Sequence, residues 1–140
     1  MASRRKGREA AVRLLYQQEF RDDTPVEAAE SFWNAQPEYD ETTREFAVGL
    51  VAEVLERNEE IDAAIARASD SWQIERIAHL DRCILRLAVA ELLQQAETPA
   101  QVIVNEAIEI AKIYCDDDGP RFINGVLDRI ARERGLFDQA

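Results

Sequence analysis

The chain has 140 residues, a hydrophobic content of 46%, five glycines, four prolines and a formal charge of −11. This length and composition exclude a disordered chain and predict one folded domain, in which the low glycine and proline counts favour helices over a turn-rich sheet. The acidic balance excludes indiscriminate binding to duplex nucleic acid, because most of the surface would repel a phosphate backbone.

The charge is divided unevenly along the chain. Residues 1–13 sum to +4, with Glu9 as their only acid, whereas the other 127 residues sum to −15. The basic residues of this segment are Arg4, Arg5, Lys6, Arg8 and Arg13. A cationic segment on an anionic protein predicts a local site for a polyanion.

Residues 4–20 are predicted to form the first helix. Its apolar side is predicted to contain Ala11, Leu14 and Leu15, which recur at helical spacing. A second stripe on the same helix consists of Arg5, Arg8, Val12 and Tyr16. Cations attract phosphate and an aromatic face can stack an unpaired base, so the stripe suits single-stranded RNA. The residue types equally allow a solvated basic helix end with Tyr16 packed at the margin of the core.

Capping motifs mark several further helix starts. Segments 24–27 (TPVE) and 98–101 (TPAQ) each contain a capping hydroxyl, a proline at the first helical position and a Glu or Gln three residues on. A third helix is predicted over residues 40–57, and Asn58 is predicted to cap the fourth. Trp72 is expected to fix the turn that follows.

The central segment 83–93 reads CILRLAVAELL, with only Arg86 and Glu91 charged. A helix that is apolar on nearly all sides is predicted to lie in the middle of a bundle. Two more helices follow, separated by DDDGP at 116–120. Their apolar stripes contain Ile103, Ala107, Ile110, Ala111 and Tyr114, then Ile123, Val126, Leu127 and Ile130. These patterns predict an all-α domain spanning residues 1–140, with about seven helices in two packed halves, approximately 1–57 and 58–140.

The sequence shows no local motif for catalysis or metal binding. His79 is the only histidine, and Cys83 is the one soft ligand close to it. The acidic run 116–118 lacks the alternating ligands of a calcium loop, so its predicted role is helix capping. We expect a binding protein with no catalytic residue, cofactor or metal. Cys83 and Cys115 are expected to be reduced, buried thiols.

The start of the chain is charged, and the sequence contains no run of about 18 apolar residues. We therefore expect neither a signal peptide nor a membrane span, and we expect a cytoplasmic protein.

Arg121 and Phe122 open the last predicted helix and again place an aromatic ring beside a cation. Phe122 lies about 100° around that helix from the apolar stripe. It can either contact a ligand or cover the end of the bundle.

Five segments resemble the NusB family, in the family's order and over nearly the whole chain. They are RRKGREAAVRLLYQQEF (4–20), FAVGLVAEVLERNEEID (46–62), HLDRCILRLAVAELL (79–93), VNEAIEIAK (104–112) and RFINGVLDRIAR (121–132). The resemblance implies a fold of two small helical bundles and a non-enzymatic role in transcription antitermination. Such proteins bind the boxA RNA of ribosomal RNA leader transcripts together with NusE, a small-subunit ribosomal protein. The pair joins other Nus factors on RNA polymerase.

The resemblance also implies site residues. The family's RNA surface falls on Arg4, Arg5, Lys6, Arg8, Tyr16, Arg121 and Phe122. Asp118 lies at the same edge and is expected to weaken RNA binding. The NusE surface falls on Glu75, Arg76 and Asp81. Because the basic segment is short, tight RNA binding is expected to need NusE.

Two other functions stay open at this point. The protein could be an adaptor whose basic helix meets an acidic protein surface or a second copy of itself. It could also be an accessory chain to an RNA cytosine methyltransferase. The sequence is compatible with a monomer or a homodimer.

Overall fold

A computed structural model describes residues 4–20, 24–69, 74–94 and 98–137. These residues form seven α-helices, one 3-10 turn and no β-strand. The helices are α1 (Arg4–Gln18), α2 (Pro25–Ala35), α3 (Glu41–Glu56), α4 (Asn58–Ala68), α5 (His79–Gln94), α6 (Ala100–Tyr114) and α7 (Gly119–Glu133), and the 3-10 turn is Ile74–Arg76. The predicted all-α fold is confirmed, including the division into three helices before Asn58 and four from Asn58 onwards.

Helix α5 is the centre of the molecule, as segment 83–93 predicted. Ten of its sixteen residues are buried, and it packs against α1, α3, α4, α6 and α7. Burying one large apolar side chain stabilises a fold by about 1.5–3 kcal/mol, so this helix carries much of the core. Helices α2 and α3 pack on α1 at one side, whereas α6 and α4 pack on α7 at the other. The assignment of 1–57 and 58–140 as halves of one domain stays a prediction.

The capping box at the start of α2 is confirmed. The Thr24 hydroxyl accepts a hydrogen bond from the Glu27 backbone N–H at 3.2 Å, and the Glu27 carboxylate accepts one from the Thr24 N–H at 3.4 Å. Each side chain thereby satisfies a backbone donor that the first turn of a helix leaves unpaired.

Two other cap predictions are wrong. Pro99 is the N-cap of α6, and within the described residues no side chain caps this helix. The Pro99 carbonyl instead accepts hydrogen bonds from Val102 and Ile103, at 3.0 and 3.1 Å. Asn58 is already the first helical residue of α4, because only Arg57 separates this helix from α3 and carries hydrogen bonds of both helices.

Ion pairs join the helices around α5. The Arg86 guanidinium donates two hydrogen bonds to the Asp62 carboxylate on α4, at 2.8 and 2.9 Å, and a third to Glu19 at 3.1 Å. Glu19 follows α1 directly, so this network links the end of α1 to α5 and α4. Trp72, expected to fix the turn after α4, lies outside the described residues. Among the helices described, none is long and apolar enough to cross a membrane.

Candidate nucleic-acid interface

The amino-terminal end of α1 presents three exposed cations, Arg4, Arg5 and Lys6. The Arg4 guanidinium lies 4.5 Å from the centre of the Phe46 ring on α3, in cation–π contact. Helix α3 approaches this closely because Gly7 lacks a side chain, since a Cβ there would collide with the Phe46 ring. The packing of α1 on α3 therefore positions the Arg4 guanidinium at the surface, over the Phe46 ring.

Arg5 lies on the same turn but is bound to an acid of this chain. Its Nε and Nη2 donate to the two carboxylate oxygens of Glu106 on α6, at 3.2 and 2.5 Å. The Arg5 side chain is 48% exposed and that of Glu106 is 17% exposed. This hydrogen bond from Arg5 is the main cause of the lowered pKa of Glu106. Arg5 is accessible to phosphate, but Glu106 competes for it.

Arg8 lies in the interior, in contrast to Arg4 and Lys6. It is 6% exposed, and Val12, the next member of the predicted stripe, is 2% exposed. The stripe is therefore exposed only at its two ends. Arg8 donates to both carboxylate oxygens of Glu91 on α5, at 2.7 and 2.8 Å. Arg8 therefore holds α1 against α5 and does not contribute a cation to the surface.

Tyr16 occupies the other end of α1, about 18 Å from Arg4 along the helix axis at 1.5 Å per residue. It is 37% exposed. Its ring contacts Phe20 and His79 edge to face, with centres 5.1 and 6.1 Å apart. Tyr16 therefore belongs to an exposed aromatic group rather than to the core.

The turn between α6 and α7 reaches the same end of the molecule. Asp81, two residues after His79, lies in the first turn of α5 beside Gly119. A Cβ at Gly119 would come within 2.6 Å of the Cys115 Cβ and 3.4 Å of the Asp81 carboxylate, so glycine permits this close contact. Since His79 contacts Tyr16, the start of α5 brings the α6–α7 turn and Tyr16 to one end of the bundle.

The first residues of α7 include the other predicted RNA-binding side chains. Arg121 is exposed, and Phe122 is half-buried and packs against the core. Phe122 thus covers the bundle end with part of its ring and exposes the rest. Pro120 lies in the first turn of α7, which begins at Gly119, so the last two residues of the segment DDDGP are helical rather than part of the separation between the helices.

The acidic run before α7 was predicted to cap this helix. Asp118 does occupy the N-cap position, but its side chain makes no capping hydrogen bond within the described residues, so the prediction is wrong for this residue. Its backbone is already helical, with φ −86° and ψ −12°, whereas a capping side chain needs an extended backbone. Only its carbonyl contributes, by accepting a hydrogen bond from the Phe122 N–H at 3.0 Å. The Asp118 carboxylate is left exposed beside Arg121 and Phe122.

The residues expected to contact NusE lie next to this end. Glu75 and Arg76 are exposed on the 3-10 turn, whereas Asp81 is half-buried against the α6–α7 turn. Burial, followed by a hydrogen bond with the Asp81 carboxylate, raises the pKa of the Cys115 thiol. Asp81 therefore positions the α6–α7 turn in addition to any contact it makes with a partner.

The thiols differ from one another. Cys83 is buried, as predicted, and burial, followed by the charge of Glu19, raises its pKa to about 12. Cys115 is only half-buried, so the prediction is wrong for that residue. The described residues contain no group of three or more His, Cys, Asp or Glu side chains that could hold a metal ion.

The sequence did not indicate that Glu106 pairs with Arg5, or that Arg8 is the partner of Glu91. Glu106 lies in segment 104–112, but nothing local shows that it faces Arg5. Glu91 gave a usable signal, because a carboxylate in an otherwise apolar central helix requires a cation from another helix.

The NusB family model matches residues 5–132. The chain belongs to the NusB family. The transcription antitermination protein NusB of Geobacter sulfurreducens is 43% identical over 131 residues, which cover 94% of this chain and 95% of the relative. The NusB protein of Sorangium cellulosum is 40% identical over 139 residues, 99% of each chain.

Solved structures agree with this assignment. T. maritima NusB is 36% identical and superposes with a TM-score of 0.87 over 99% of each chain. A chain in the crystal structure of antitermination factors NusB and NusE in complex with dsRNA is 28% identical, with a TM-score of 0.82 over 93% of this chain and 96% of that one. The fold described above is therefore that of the NusB family.

Proposed function

We propose that this NusB-family protein is a transcription antitermination factor. It binds the boxA RNA of ribosomal RNA leader transcripts together with NusE and joins other Nus factors on RNA polymerase. The names of the relatives support antitermination, and the solved complex of NusB and NusE with dsRNA supports binding of RNA and NusE. The observation that carries it is a surface of cations and aromatic rings on an otherwise acidic protein, formed by α1 and the start of α7.

The two ends of this surface have different roles in the proposal. Arg4, Arg5 and Lys6 neutralise phosphates at the amino-terminal end of α1. Tyr16 and Phe122 contact bases at the other end, where Arg121 supplies a further cation. Four exposed cations predict a slope of about −3 for log affinity against log salt with a single strand.

Such a short cationic surface binds RNA weakly, so the proposed role of NusE is to add affinity. Ribosomal proteins are generally cationic, and the exposed Glu75 and the half-buried Asp81, six residues further on, offer complementary charges. Arg76 between them would restrict how the partner docks. We propose that NusE binds this end of the molecule, next to the RNA surface.

An antitermination factor acts by binding, and we propose no catalytic residue or cofactor for this protein. Its site of action would be the cytoplasm, where bacterial RNA polymerase transcribes ribosomal operons.

The test is a titration of labelled boxA-like RNA, a scrambled strand and a duplex, with and without NusE, across a salt series. The variant Arg5→Ala/Tyr16→Ala/Phe122→Ala removes a cation and both aromatic contacts, and Arg67→Ala on α4 removes an exposed cation elsewhere. We expect boxA-selective binding that NusE strengthens, that the triple variant loses and that Arg67→Ala retains. Binding of NusE without preference for any RNA would instead identify a protein adaptor. Preference for the duplex would overturn the single-strand proposal.

A further inference from the structure

A cleft of about 590 Å³ opens beside Tyr16, between α1, α2, α6 and the start of α5. Its volume is within the range of ligand pockets in proteins. Its aromatic wall is formed by Tyr16, Phe32 and Tyr114. Because Tyr16 lines the cleft and also lies at the exposed surface of α1, a strand that contacts Tyr16 would pass the mouth of the cleft.

A cation is held in this cleft by its neighbours. The Arg13 guanidinium lies 5.1 Å from the centre of the Phe32 ring, and its Nη1 donates to the Tyr39 hydroxyl at 3.1 Å. Among the described residues no carboxylate forms an ion pair with Arg13, although the protein as a whole is strongly acidic. A guanidinium that is positioned by neutral groups and forms no ion pair with a described carboxylate is suited to a phosphate.

The cleft also contains unused hydrogen-bonding groups. Gln17 and Gln36 line it, and their side-chain amides make no hydrogen bond to any described residue. Burial, followed by the charge of Glu9, raises the pKa of Tyr114, so its hydroxyl stays a neutral donor at physiological pH. Amides and hydroxyls can pair with the edges of any base.

We propose that this cleft is a nucleobase pocket, which receives one base turned out of the RNA strand that crosses Tyr16. The base lies against the rings of Tyr16 and Tyr114, its edge meets Gln17 or Gln36, and an adjoining phosphate meets Arg13. This inference rests on the proposed function and adds a base-reading site to it.

The test fills the pocket without cutting into the core. Ala35 is an exposed cleft residue at the end of α2, so Ala35→Trp would occupy the space intended for the base. Ala63→Trp on α4 introduces the same side chain at another exposed helical position and is the matched control. Both proteins, with the wild type, are titrated with boxA-like RNA and with a series in which each base in turn is removed.

In the wild type and in Ala63→Trp, removal of one particular base should weaken binding about 5- to 150-fold, the range expected for one stacked base. In Ala35→Trp the intact RNA should bind more weakly by a similar factor, and removal of that base should have no further effect. Such coupling would support the pocket.

The other outcomes separate the two proposals. Selective RNA binding in which no base is coupled to Ala35→Trp would overturn the pocket and leave the proposed function intact. Absence of RNA binding in all proteins, with and without NusE, would overturn both. A further arm titrates the proteins with AMP and UMP. If these nucleotides bind, Ala35→Trp abolishes their binding and no RNA base is coupled to Ala35→Trp, the cleft is a site for free nucleotides. That result would overturn the RNA assignment.

Discussion

Arg8 and Glu91 form a buried ion pair with two parallel hydrogen bonds, of 2.7 and 2.8 Å, between α1 and α5. Their side chains are only 8% and 7% exposed, so both charges are almost fully removed from water. Arg4 and Lys6, within one turn of α1, are exposed. The basic segment therefore contains cations with two roles, one that holds the fold together and others that can meet an anion.

Replacing Arg8 by alanine should lower the free energy of unfolding by about 3–5 kcal/mol, because the Glu91 carboxylate would be left buried without a partner. Urea denaturation measures this, with Arg4→Ala as a control that should lose no more than about 1 kcal/mol, the contribution of its exposed cation–π contact with Phe46. The double variant Arg8→Met/Glu91→Leu should recover most of the loss, since it leaves no buried charge. A stable Arg8→Ala protein that has lost RNA binding would show that Arg8 acts at the RNA surface.

Glu106→Gln should strengthen RNA binding, because the carboxylate that holds Arg5 would no longer compete with phosphate. Partly exposed ion pairs contribute about 0.2–1 kcal/mol, which corresponds to about a 1.5- to 5-fold gain in affinity. RNA titration at low salt measures it. Glu109→Gln on the same helix removes an equal charge but breaks a pair with Lys112 instead, and it should have a smaller effect. An equal gain in both variants would point to net charge rather than to release of Arg5.

The burial of segment 83–93 could be predicted from its composition, because a helix that is apolar on nearly all sides is stable only in the interior of the protein. Tyr16 was correctly placed on the same helix as Arg5, but burial of Arg8 was missed. The spacing of residues on one helix gives their angular positions, whereas the depth of each depends on which other helix packs there. The pairs Arg8–Glu91 and Arg5–Glu106 join residues 83 and 101 positions apart, and no local pattern encodes such contacts.

Segments 24–27 (TPVE) and 98–101 (TPAQ) share a predicted capping pattern, but only the first forms a side-chain cap among the described residues. Thr24→Ala should lower the free energy of unfolding by about 1 kcal/mol, because the Thr24 hydroxyl accepts a hydrogen bond from the first turn of α2. Thr98→Ala should change it by less than about 0.5 kcal/mol, since Pro99 and not Thr98 is the N-cap of α6. Urea denaturation of both variants measures the difference. Equal losses would mean that the Thr98 hydroxyl contributes in solution.

Cys83 should react slowly with thiol reagents while the protein is folded. Burial raises its pKa to about 12, so the fraction of thiolate at pH 8 is roughly a thousandfold lower than for an ordinary cysteine. Labelling with iodoacetamide, quantified by mass spectrometry, should modify Cys83 at least a hundredfold faster in urea than in buffer. Rapid labelling of folded protein at Cys83 would contradict its burial.

Asp118→Asn should strengthen RNA binding without loss of stability. The Asp118 carboxylate is exposed beside Arg121 and Phe122, where it would repel phosphate. Its side chain makes no capping hydrogen bond to the described part of α7, so the amide costs the helix nothing in this respect. One unit charge at about 4 Å in water corresponds to about 1 kcal/mol, which predicts up to about a fivefold gain that diminishes as salt rises.

The measurement is RNA titration at matched salt, with thermal unfolding as the check on stability. Glu60→Gln on α4 removes the same charge at another exposed site, so its affinity should stay near wild type. Equal or weaker affinity of Asp118→Asn would remove Asp118 from the RNA surface.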